Sequence, residues 1–150
     1  MNQPAPIAPL NVLLLDDDAF MLEVVADMFS ELGFFTLHCE TDARRALLHL
    51  AAQPPAVLVC DLSMPDMDGI EFLNAAAEAG FKGGVILLTG MDAGVRRSAE
   101  RLARAHGLNV LGSHKKPITP AELRAALTRL ACPSGVPGGN VYNVTTHSGK

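Results

Sequence analysis

The sequence predicts an α/β fold: a mainly parallel sheet with helices packed on both faces. Five short apolar runs alternate with five stretches of helical periodicity, and the apolar runs give way to polar residues at their carboxyl ends. Parallel neighbours cannot be joined by a tight hairpin, so each strand must return through a crossover, here a helix. The 150 residues fit one domain, large enough to bury a core without disulfides or a structural metal.

Residues 1–9 form a Pro-containing leader expected to be disordered, and the folded unit is expected over 10–131. Asn11 to Leu15 is a buried strand that stops at Asp16, Asp17 and Asp18. Phe20, Met21, Val24, Val25, Met28, Phe29 and Leu32 then recur at helical spacing, with Gly33 placed as a C-terminal cap. Phe34 to His38 is the second strand; Thr41 and Asp42 open a helix carrying Ala46, Leu47 and Leu50 that Pro54 and Pro55 end. Ala56 to Cys60 is apolar throughout, as a strand covered on both faces should be, and it stops at Asp61. Leu62 to Gly69 is a loop, followed by a short helix with Ile70, Phe72, Leu73, Ala76 and Ala77. Val85 to Leu88 is the fourth strand, ending at Thr89; Asp92 is placed to cap a helix running to about His106, with Gly107 as its stop. Leu108 to Gly112 is the fifth strand. Thr119-Pro120-Ala121-Glu122 then forms a capping box ahead of Leu123, Ala126, Leu127 and Leu130. From Cys132 to Lys150 the Pro, Gly, Ser and Thr content predicts a linker or a disordered tail.

Apolar residues make up 49% of the chain and charged ones 19%, which excludes an intrinsically disordered protein. A net charge of −4 argues against a nucleic-acid-binding surface, whose phosphate contacts need Lys and Arg in excess. Cys39, Cys60 and Cys132 are an odd, widely spaced set that suggests neither a disulfide framework nor a CxxC metal knuckle. No signal-peptide pattern opens the chain, and no apolar run approaches the ~20 residues that span a bilayer. The expectation is a soluble, cytoplasmic protein that meets no membrane.

The residues that could carry chemistry gather at strand ends: Asp16 and Asp17 after the first, Asp61 after the third, Thr89 after the fourth and Lys116 just past the fifth. In a parallel sheet those ends share one edge, which is where such folds place their working groups. Three carboxylates crowded together would repel one another unless a cation neutralised them, and hard oxygen ligands suit Mg²⁺ or Mn²⁺ better than zinc. With the charge screened, one carboxylate can attack phosphorus while an ammonium and a hydroxyl, here those of Lys116 and Thr89, stabilise the transferring oxygens. Periodicity leaves the strand order open.

The segments LLLDDDAF, VLVCDLSMPDMDG, VILLTG and KKPIT, in this order and spacing, closely resemble the receiver domain of bacterial response regulators, over roughly residues 10–131. The resemblance implies a flavodoxin-like fold with strand order 2-1-3-4-5, and it makes the chain a phosphoacceptor switch in two-component signalling. It implies phosphorylation of Asp61 by a sensor histidine kinase or a histidine phosphotransfer protein. It also implies Mg²⁺ or Mn²⁺ held by Asp17, Asp61 and the Ser63 carbonyl with Asp16 assisting through water, and phosphate contacts from Thr89 and Lys116. Such domains control a downstream effector; the tail from Pro133 to Lys150 is either a linker to one, with a cyclic-dinucleotide phosphodiesterase or a DNA-binding module as candidates, or the end of a stand-alone receiver. They dock partners or a second protomer on the face formed by the fourth helix, fifth strand and fifth helix. Arg96, Arg97, Arg101 and Arg104 make that helix basic.

Departures from the family pattern are local. Ser113 stands where Tyr or Phe is frequent, with His114 as its aromatic neighbour; Gly90 stands where Ala is common; Ser63 and Met91 occupy positions that tune the acyl phosphate's lifetime. Asp66 and Asp68 are expected to shape their loop, Asp18 to cap a helix, and the five histidines lack metal-binding spacing in sequence. Two rivals remain: a phosphatase with an aspartyl nucleophile, whose DxDx[TV] signature is absent after the first strand, and a receiver-shaped module that is never phosphorylated.

Overall fold

A computed structural model describes residues 9–33, 35–63, 69–90 and 93–131. The apolar runs are strands β1 (Leu10–Leu15), β2 (Phe35–Glu40), β3 (Val57–Asp61), β4 (Gly84–Thr89) and β5 (Asn109–Lys115). They alternate with helices α1 (Ala19–Leu32), α2 (Ala43–Ala52), α3 (Gly69–Glu78), α4 (Ala93–Ala105) and α5 (Pro120–Ala131). The strands are parallel in the order β2-β1-β3-β4-β5. This is the flavodoxin-like order, and its switch point lies between β1 and β3.

The sheet divides the core in two because successive side chains of a strand point to opposite faces. Leu13, Leu58, Cys60, Val85 and Leu87 meet Ala46 and Leu50 of α2, Phe72 and Ala76 of α3, and Ala99 and Ala103 of α4. Val12, Leu14, Val57, Val59, Ile86 and Leu88 meet Leu22, Val25 and Phe29 of α1 and Leu123, Ala126 and Leu127 of α5. The central strands therefore had to be apolar on both faces up to their carboxyl ends, where Asp61 and Thr89 stand. Between β4 and β5 the register steps from Val85↔Val110 to Ile86↔Gly112, a bulge that sets which way the end of β5 points.

Helix boundaries follow their capping chemistry. Asp18 accepts from the Phe20 and Met21 N–H groups at the start of α1, as expected of a cap. The capping box of α5 is reciprocal: Glu122 N–H donates to Thr119 Oγ1 at 3.1 Å, and Thr119 N–H donates to Glu122 Oε1 at 3.0 Å. Gly107, at φ +93°, ends α4 with Leu108 N–H donating to the Ala103 carbonyl and Gly107 N–H to that of Arg104. Only glycine adopts that φ without strain, and the doubled bond closes the helix.

Some expectations are corrected. β5 runs to Lys115 and not to Gly112, because Ser113 and His114 continue the ladder without contributing to either apolar cluster. Asp61 is the last residue of β3 and does not merely follow it. Phe20, counted in the apolar stripe of α1, is 68% exposed; Leu22 takes the inward position instead. Phe34, the Asp92 cap, Asp66, Asp68 and Met91 lie outside the described residues, as do the segments 1–8 and 132–150. Among the described residues no helix is long and apolar enough to cross a membrane.

Candidate functional site

At the carboxyl edge of the sheet the chain brings together Asp16, Asp17, Asp61, Ser63, Thr89 and Lys116. Backbone pairing places Asp16, Asp61, Thr89 and Lys116. Asp16 leaves β1 with its N–H donating to the Glu40 carbonyl of β2 at 3.1 Å, while Leu62 N–H donates to the Leu88 carbonyl at 2.9 Å and turns the chain after Asp61. Lys116 N–H donates to the Thr89 carbonyl at 2.9 Å, which sets the lysine directly beyond the end of β4. The distances among side chains therefore follow from strand order and register.

Asp61 is 1% exposed and Thr89 is fully buried; Asp16 is buried and Asp17 is open to solvent. Carboxylate oxygens of Asp16, Asp17 and Asp61 lie within 4.8 Å of one another. Lys116 Nζ lies 3.0 Å from Asp16 Oδ2 and 3.3 Å from Asp61 Oδ2. Asp61 Oδ1 accepts from Ser63 N–H at 3.0 Å, whereas Oδ2 is buried without a well-formed hydrogen bond. Asp16 Oδ1 accepts from Asp18 N–H at 2.9 Å, and Ser63 Oγ lies 3.4 Å from Thr89 Oγ1.

The electrostatics follow from that packing. Burial pushes the Asp61 carboxyl up to about 6; the Ser63 N–H pulls it down, the Asp16 charge pushes it up, and Lys116 pulls it down again. Lys116 is held above its ordinary value: burial alone would lower it, but the hydrogen bond to Asp16 and the charges of Asp61 and Asp16 prevail. One ammonium faces three carboxylates, so the site carries surplus negative charge in a partly dry setting. An all-oxygen donor set with one orphaned buried oxygen fits a small hard divalent cation such as Mg²⁺, and does not fit a soft one.

Two contributors were not singled out in the sequence. Glu100 of α4 accepts from Ser113 Oγ at 2.8 Å and from Arg104 Nη2 at 2.7 Å, tying the helix to β5 at the position where the family often has an aromatic ring. Burial would raise the Glu100 carboxyl, but the hydrogen bonds from Arg104 and Ser113 bring it below its ordinary value. The Glu–Arg pair could have been found as an i,i+4 spacing; its link to Ser113 crosses from helix to strand and has no sequence signature. Glu40 acts through its backbone carbonyl, which any residue would supply.

The sequence and the fold resemble those of known proteins. The probable chemotaxis protein CheY of Rhizobium etli is 31% identical over 120 residues, 79% of this chain and 89% of that protein. The cyclic di-GMP phosphodiesterase RocR of Pseudomonas aeruginosa is 31% identical over 121 residues, 80% of this chain; the aligned part is 31% of RocR's length. A response regulator structure from Colwellia psychrerythraea superposes with a TM-score of 0.71 at 34% identity, covering 82% of this chain and 97% of that one. The chemotaxis protein CheY4 of Vibrio cholerae superposes at 0.69 with 25% identity over 82% and 99%. The family described as the response regulator receiver domain matches residues 12–128. With that match added to strand order and rim, the chain belongs to the response regulator receiver domain family of two-component systems.

Proposed function

We propose that the chain accepts a phosphoryl group on Asp61 from the phosphohistidine of a sensor histidine kinase or histidine phosphotransfer protein, in a Mg²⁺- or Mn²⁺-dependent reaction. The observation that carries this is the buried Asp61 carboxylate, one oxygen without a hydrogen bond, facing Lys116 within the acid cluster. Asp17, Asp61 and the Ser63 carbonyl would hold the ion, with Asp16 assisting through water. Once bound, such an ion offsets the carboxylate charge and steadies the phosphoryl oxygens.

The chain's own residues do the rest. An Asp61 oxygen gives its electron pair to phosphorus, the phosphorus–nitrogen bond breaks, and the imidazole nitrogen of the donor keeps that pair. Lys116, now 3.3 Å from Asp61, pairs with the incoming negative charge, and the Thr89 hydroxyl, now near Ser63 Oγ, turns towards a phosphoryl oxygen. Water later attacks phosphorus and releases inorganic phosphate, so the domain catalyses its own phosphorylation and dephosphorylation and turns over no metabolite.

The adduct brings about two negative charges to the ends of β4 and β5. Reordering there shifts the face of α4, β5 and α5, where the exposed Arg97 and Arg101 offer charge to an effector domain, an effector protein or a second protomer. No direct nucleic-acid or membrane contact is part of this role. The cytoplasm is the compartment that suits it and the free thiols of Cys39 and Cys60.

Incubation with acetyl phosphate and Mg²⁺ is expected to give one acid-stable, base-labile phosphoryl adduct, absent in Asp61→Asn, seen by intact mass. An adduct that persists in Asp61→Asn, or none in the wild type, overturns the assignment. Sustained turnover of p-nitrophenyl phosphate would make the chain a phosphatase instead.

A further inference from the structure

Helix α4 has a thin apolar hold on the sheet. Among the described residues it buries only Ala99 and Ala103, where α1 buries Leu22, Val25, Phe29 and Leu32. Apolar stabilisation scales with the area removed from water, so a helix seated on two methyl groups uncovers little when it shifts.

A polar clasp adds to that hold. The bulge between β4 and β5 turns Ser113 towards α4 and His114 towards α5, where its Nδ1 lies 3.8 Å from Glu122 Oε2. Ser113 Oγ donates to Glu100 Oε1 at 2.8 Å, and Arg104, one turn on, donates to Glu100 Oε2 from Nη2 at 2.7 Å and from Nε at 3.2 Å. These donors keep the Glu100 carboxyl below its ordinary value although burial opposes them. The acceptor is therefore ionised at neutral pH, and a hydrogen bond to a charged acceptor is stronger than a neutral one.

The clasp grips the same piece of strand that carries the rim. Ser113 pairs with Leu87, two residues before Thr89, and stands three residues before Lys116, whose N–H donates to the Thr89 carbonyl. Lys116 Nζ lies 3.3 Å from Asp61 Oδ2, which leaves no room for a phosphoryl group between them, so an adduct must displace the lysine. Ser113, His114 and Lys115 belong to neither apolar cluster, and this stretch of β5 has little to resist being drawn along. A hydrogen bond of 2.8 Å is lost once its atoms separate beyond roughly 3.5 Å.

We infer that the Ser113–Glu100–Arg104 clasp is a latch that holds α4 on β5 in the unphosphorylated chain and opens when the rim takes its phosphoryl group. This rests on the phosphoacceptor reading of Asp61. Linkage is reciprocal: a contact that the adduct opens must itself oppose the adduct, so a chain without the latch takes the phosphoryl group more readily. Ser113 and Glu100 act through β5, as positioning residues.

The test is calorimetric titration of the full chain with beryllofluoride, a reversible phosphoryl mimic, in the presence of Mg²⁺. Ser113→Ala is expected to bind the mimic roughly five- to tenfold more tightly than wild type, and Ser113→Thr, which keeps the hydroxyl donor, as wild type does. A variant that merely folds poorly would bind more weakly, so the sign separates a latch from a structural defect. Amide exchange gives the second readout: protection of α4 should fall when wild type binds the mimic, and should already be low in free Ser113→Ala. Equal or weaker binding by Ser113→Ala, or α4 protection unchanged by the mimic, would overturn the latch and leave Asp61 as the acceptor. Absence of any adduct in wild type would remove the phosphoacceptor reading and the latch with it.

Discussion

Asp61 illustrates how a single buried acid can be costly to the fold while serving the chemistry proposed for it. Its carboxyl is raised from 3.8 to about 6, chiefly by burial, so between those values the native chain holds a proton that the unfolded chain has lost. A group with a raised folded value favours the native state at low pH, and its contribution is lost as pH rises through about 6. Above that, an ionised Asp61 beside Asp16 works against folding, with Lys116 offsetting only part. Asp61→Asn removes the charge but keeps the shape. In chelator-treated protein the variant is expected to exceed wild type by about 1–3 kcal/mol near pH 8, the gap closing towards about pH 4. Urea midpoints at the two pH values check this. A variant less stable than wild type at the higher pH would show that Lys116 and Ser63 more than compensate the buried charge.

At the scale of elements, what could be read from the sequence depended on how local the determinant is. The capping box of α5, the Asp18 cap and the Gly107 stop involve neighbours within a turn, so residue type and spacing were sufficient. The strand-end acids, Thr89 and Lys116 were legible for a second reason: parallel topology gathers strand ends on one edge whatever the loops do. The end of β5 was not, because Ser113 to Lys115 are polar and a half-exposed strand leaves no apolar run. The clasp from Glu100 to Ser113 and the pairing of His38 with His49 join separate elements, and no spacing rule reaches across them.

Gly69 shows an element junction shaped by space. A β-carbon there would fall 2.5 Å from Leu62 Cα and 2.8 Å from the Leu62 carbonyl, so the start of α3 packs on the backbone that follows Asp61. Gly69→Ala must push that backbone away, at a cost of about 1–3 kcal/mol. Because the Ser63 N–H, one residue beyond Leu62, donates to the Asp61 carboxylate, the same shift should slow phosphorylation from acetyl phosphate, whereas an equally destabilising change at Leu50 should not. Equal slowing by both would mean that stability alone sets the rate.

At the scale of the whole molecule, one sheet is wrapped by two helical layers whose cores do not touch except through the strands. Leu13 and Leu14 are adjacent and fully buried, yet Leu13 belongs to the cluster that includes residues of α2, α3 and α4 and Leu14 to the cluster that includes residues of α1 and α5. Each layer covers one side of the same hydrogen-bonded ladder, and a bare sheet face would expose the apolar side chains of β1, β3 and β4 at once. Loss of either layer therefore undermines the other, and the two should unfold together. Leu13→Ala and Leu14→Ala are each expected to cost about 2–5 kcal/mol, by lost burial and the cavity left behind. Each should shift a single urea transition without changing its slope. Amide exchange is the sharper probe: either substitution should lower protection in α1 and in α3 by the same free energy. If Leu13→Ala loosens α3 while α1 keeps its protection, the layers are separate folding units and the sheet does not couple them.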